Sequence, residues 1–60
     1  MSKPMSAPML IQCLAGELYA HPEMLVELIK EEESVLSIVR AYGRGEETYQ
    51  NVLEAVSAIC

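Results

Sequence analysis

The sequence predicts an all-α protein: a small three-helix bundle completed by oligomerisation. Three observations predict it. Apolar residues recur at helical spacing along most of the chain. Helix-breaking residues cluster at two places, His21-Pro22 and Gly43-Arg44-Gly45. The β-branched residues fall within the helical spacing and nowhere alternate as a strand requires.

Residues 1–7 carry proline and serine without periodicity and read as a flexible N-terminal arm; residues 8–60 form the single helical domain. Ser6 is placed to cap the first helix, and Pro8 suits a first turn, where no backbone N–H is needed. That helix is expected over residues 8–20. Leu10, Ile11, Leu14 and Leu18 form its apolar stripe, with Met9 and Cys13 lying off it. Gly16 weakens this helix and offers a place for another helix to approach closely.

His21-Pro22 ends the first helix and starts the second, because a residue before proline is driven from helical dihedrals while proline suits a first helical position. A connection as short as one residue follows. The second helix is expected over 22–42, with Glu23 in its first turn and Arg40 in its last, each complementing the helix dipole, and Gly43 as the stop. On a wheel, Leu25, Leu28, Ile29, Val35, Leu36, Val39 and Tyr42 share one side, with Met24 and Ile38 at its edges. This arc covers about half the circumference, wider than the ~100° stripe of a simple surface helix. The second helix is therefore expected to be central, contacted by both neighbours or by another chain. The third helix is expected over 46–59, opened by Glu46 and Glu47, with Tyr49, Val52, Leu53, Val56 and Ile59 on its apolar side.

Size sharpens the expectation of a partner. A 60-residue chain buries only about 60% of the surface its unfolded form exposes, and a core of that size supplies roughly 3–5 kcal/mol without a staple. Cys13 and Cys60 are the only cysteines, too few for a disulfide scaffold. With no secretory leader expected, a reducing, cytoplasmic setting follows. One histidine and no paired cysteines give no zinc pattern, so no metal or cofactor is expected. Yet 52% of the residues are hydrophobic, and no apolar run approaches the ~20 residues of a membrane span. The surplus apolar surface is expected to meet another protein chain, a second copy first of all. Leu25, Leu28, Val35, Val39, Val52 and Val56 are the expected oligomer interface.

A net charge of −5 disfavours direct nucleic-acid binding, which depends on neutralising phosphates with Lys and Arg. Three short helices permit a helix-turn-helix regulator as an alternative, but the third helix holds no Lys or Arg, and its polar side carries Glu47 and Glu54. Within Glu31-Glu32-Glu33, Glu32 falls near the middle of the apolar arc, Glu31 at its edge and Glu33 toward solvent. A carboxylate buried there must be paired, protonated or hydrogen-bonded. Three readings of Glu32 stand: a solvated gap between two packed ends, a contact to a basic group on a partner, or a catalytic acid. No Ser/His/Asp or Cys/His arrangement accompanies it, and Gly43-Arg44-Gly45 lacks the residues of a phosphate loop. No enzyme is expected. Tyr19, Tyr42 and Tyr49 are the only aromatics, and tyrosine is frequent at interface hot spots.

The functional expectation is a small acidic protein-interaction module: an inhibitor, antagonist or adaptor of the kind phage and mobile elements encode as accessory proteins. Glu31, Glu32, Tyr42, Arg44 and Tyr49 are its expected partner-binding residues. A small-ligand binder with a pocket formed between subunits is the other alternative.

Overall fold

In a computed structural model, residues 4–60 are described and form four α-helices: α1 (Ala7–Leu18), α2 (Pro22–Glu31), α3 (Glu33–Gly43) and α4 (Tyr49–Ile59). No strand occurs among the described residues. Consecutive helices pack in order, α1 on α2, α2 on α3 and α3 on α4. The all-α class is as expected. The count is four, because the expected second helix is divided at Glu32.

The division removes the difficulty that Glu32 posed. Had the helix continued, an unpaired carboxylate would have faced the interior, at a cost no partner offsets. Instead Glu32 leaves helical dihedrals (φ −106°, ψ 98°) and is exposed. Its N–H still donates to the carbonyls of Leu28 and Ile29 at 3.2 and 3.3 Å, and its carbonyl accepts from the N–H of Leu36 at 2.9 Å. Charges support the break: Lys30 sits in the last turn of α2 and Glu33 in the first turn of α3, each matching the local dipole. The wide apolar arc is shared out, with Leu25 and Ile29 buried from α2 and Val35 and Tyr42 from α3.

The other boundaries shift for local reasons. α1 begins at Ala7, with Ser6 in the cap position but its hydroxyl unused. It stops at Leu18 rather than residue 20, and Tyr19 takes left-handed dihedrals (φ 53°, ψ 41°). The N–H of Ala20 then reaches back to the Ala15 carbonyl at 3.0 Å. Pro22 opens α2 as expected, with His21 as its extended cap. After α3 the residue that turns the chain is Gly45 (φ 79°), not Gly43. Its N–H donates to the Tyr42 carbonyl and that of Glu46 to the Ala41 carbonyl, the paired bonds of a Schellman motif, which needs a left-handed residue and therefore favours glycine. α4 starts at Tyr49, three residues later than expected, because Thr48 caps it by accepting the Asn51 N–H at 3.2 Å.

The core draws on every helix: Leu10, Leu14 and Ala15 from α1, Leu25 and Ile29 from α2, Val35 and Tyr42 from α3, and Val52 and Val56 from α4. Leu14, Leu25, Val52 and Val56 are fully buried. Of the expected N-terminal arm, residues 1–3 lie outside the described residues. Met5 packs against the core, and its N–H donates to the Tyr42 hydroxyl at 2.9 Å.

Candidate functional site

The five expected partner-binding residues fall at opposite ends of α3, about 16 Å apart at the rise of an α-helix. Glu31 and Glu32 lie exposed at the α2–α3 junction. Tyr42, Arg44 and Tyr49 surround the α3–α4 turn. Tyr42 is only 7% exposed, and its hydroxyl already accepts a hydrogen bond from Met5. Tyr49 is half-buried, and its hydroxyl is pushed above the ordinary 10.0 by burial first, then by the Glu17 carboxylate and Cys13 of α1 and by Tyr42. The two rings thus close the α3–α4 end of the bundle. Arg44 is exposed and pairs with Glu46 at 3.3 Å, a surface ion pair of small value.

The six expected interface residues divide differently. Leu25, Val35, Val52 and Val56 are buried within the single chain, so their apolar surface is already covered by their own bundle. Leu28 and Val39 remain half-buried. The division at Glu32 causes this. Two short helices can each turn an apolar side inward, where one straight helix would have left part of the arc uncovered.

The apolar surface that stays outside belongs to other residues. Tyr19 is 97% exposed, Met24 61% and Met9 58%. Tyr19 and Met24 flank the α1–α2 turn, and Tyr19 combines full exposure with left-handed dihedrals. A bulky residue is uncommon in that region, which glycine or asparagine normally supplies at a helix end. The ring contributes nothing to the core that would offset the backbone cost. The sequence held a signal for this: on a helical wheel Tyr19 falls outside the arc spanned by Leu10, Ile11, Leu14 and Leu18, two residues before His21-Pro22.

The remaining polar chemistry has structural explanations. The Glu47 carboxylate accepts from the Asn51 side chain at 2.6 Å and from the Thr48 N–H at 3.1 Å. Those two bonds, the Asn51 one first, hold its carboxyl below the ordinary 4.5 and tie the loop to the start of α4. Cys13 and Cys60 are free and exposed. Among the described residues, no three His, Cys, Asp or Glu side chains gather as a metal site, and no helix is long and apolar enough to cross a membrane.

Among the described residues, fold and surface define four helices around a buried core and a most exposed aromatic that sits on a left-handed turn. A scan against protein-family models and searches of curated proteins and solved structures each found no significant match.

Proposed function

We propose that the chain is a small acidic protein-interaction module, acting by binding rather than catalysis as an inhibitor, antagonist or adaptor, and that Tyr19 is its principal contact. The observation that carries this reading is the exposure of Tyr19 at 97% in a left-handed conformation. Backbone strain concentrates at functional positions, and tyrosine is among the residues that dominate binding energy when an interface buries it. Met24 at the same turn adds an adaptable apolar surface. The net charge of −5 suits a basic surface on the target. Self-association draws on the same turn: a second copy would cover Tyr19 and Met24, since Leu25, Val35, Val52 and Val56 are already covered.

The test places a photo-cross-linking residue at position 19, with exposed Gln50 as the control position, and exposes each protein to extract of its source cells. The expected result is one dominant adduct from position 19, competed by excess unlabelled protein but not by Tyr19→Ala. Equal labelling from position 50, or equal competition by Tyr19→Ala, would refute the assignment.

A further inference from the structure

A cleft of about 430 Å³ lies along α3, lined by Glu33, Leu36, Ser37, Arg40 and Arg44. It is half open to solvent and every lining residue but Leu36 is exposed, so it suits a small group held at the surface rather than an enclosed ligand. Glu33, Ser37 and Arg40 follow one another at intervals of four and three residues, so they share one side of α3, and Arg44, the residue that caps its C-terminal end, lines the same cleft. The chain has four basic residues in all, and two of them meet here. Among the described residues Arg40 forms no ion pair, and Arg44 is held only by its exposed contact to Glu46. Like charges one turn apart on a helix repel, so the pair gains from a shared anion. The planar guanidinium fork matches a carboxylate or phosphoryl group with two parallel hydrogen bonds. Ser37 lies three residues before Arg40 on the same side and can donate a third.

We propose that this cleft binds a small oxyanion, a phosphate monoester or a carboxylate, through Arg40 and Arg44, with Ser37 as a further donor. Glu33 sets the limit of the site. Its carboxylate on the same side, within a protein of net charge −5, repels polyanions, so the ligand carries one anionic group and not a chain of them. This inference is independent of the contact proposed at Tyr19, which lies on the α1–α2 turn.

The test is a titration of the full chain with inorganic phosphate and, separately, acetate at constant ionic strength set by chloride, followed by backbone amide NMR. The expected result is saturable shifts confined to residues 33–46 with at least one of the two anions; the stronger of the pair identifies whether the phosphoryl or the carboxylate form is preferred. Replacing both arginines with lysine (R40K/R44K) keeps the charge at the helix end but removes the fork, and is expected to weaken binding about tenfold, the scale of one charge-assisted hydrogen bond. Glu46→Gln frees Arg44 and is expected to tighten binding. Circular dichroism of each variant checks that the helices persist. Shifts that match those from chloride alone, or binding unchanged in R40K/R44K, would overturn the proposal.

Discussion

Replacing Tyr19 with glycine separates the strain of the backbone from the work of the ring. Tyr19 sits at φ 53° and is 97% exposed, so deleting its side chain removes almost no buried surface and costs almost nothing in transfer free energy. A non-glycine residue held left-handed costs on the order of 1–3 kcal/mol. Glycine relieves that, but its freer unfolded chain returns roughly 0.5–1 kcal/mol. The net expectation is a gain of about 1 kcal/mol. In a domain of this size that raises Tm by roughly 4–8 °C. Tyr19→Ala is the control: alanine keeps the left-handed strain and loses the ring, so its Tm should match wild type within the ~0.5 kcal/mol of an ordinary surface change. Both variants should lose the contact proposed for the ring. The assay is thermal unfolding by circular dichroism, with cross-linking competition alongside. A Tyr19→Gly protein no more stable than wild type would show that the turn is not strained. A Tyr19→Ala protein destabilised by more than about 1 kcal/mol would show that the ring packs against the bundle.

Four further outcomes follow from the packing. Leu14 is fully buried, and truncating such a leucine costs about 2–5 kcal/mol against a total of roughly 3–5 kcal/mol; Leu14→Ala should leave most of the chain unfolded at 37 °C by circular dichroism. Gly16 is exposed within α1 with open space where a Cβ would lie, so Gly16→Ala should raise stability by up to ~1 kcal/mol; a fall on chemical denaturation would mean that a neighbour occupies that space. Glu32 holds the cap position of α3 without a side-chain cap bond, and Glu32→Asp should add one worth ~0.5–1 kcal/mol, visible as a higher denaturation midpoint. Asn51→Ala should return the Glu47 carboxyl toward 4.5. Because folding lowers that group's pKa, its contribution is present above the unfolded value and disappears as pH falls through the folded one. The stability difference between wild type and Asn51→Ala should therefore shift as pH drops from 7 to below 4.5, and a pH-independent difference would contradict the bond.

Period and punctuation made most of the fold legible. The stripe of Leu10, Leu14 and Leu18, the break at His21-Pro22 and the amphipathic face of α4 all lie where spacing placed them. Boundaries set by capping were harder. Thr48 displaced the start of α4 because its hydroxyl satisfies the Asn51 N–H, a local bond that competes with any helix start at Glu46. Gly45 rather than Gly43 turns the chain because only the second glycine lies where the Schellman bonds close. Glu32 was visible as a misfit on the apolar arc, but periodicity alone could not say whether the helix would bury it, pair it or break. With the break, Leu25 and Ile29 of α2 and Val35 and Tyr42 of α3 are all buried while the Glu32 carboxylate stays in water. That tertiary outcome also moved the surface expectation. Tyr42 and four of the six interface candidates went into the core, while Tyr19, off the stripe and beside a proline break, stayed outside.

One chain buries Tyr42 and presents Tyr19. Photochemically induced nuclear polarisation of the tyrosine rings in dilute protein tests it most directly, since the dye must touch a ring to polarise it. The expected spectrum has a strong Tyr19 signal, a weak one from half-buried Tyr49 and none from Tyr42. A Tyr42 signal as strong as that of Tyr19, or a silent Tyr19 in dilute protein, would contradict it.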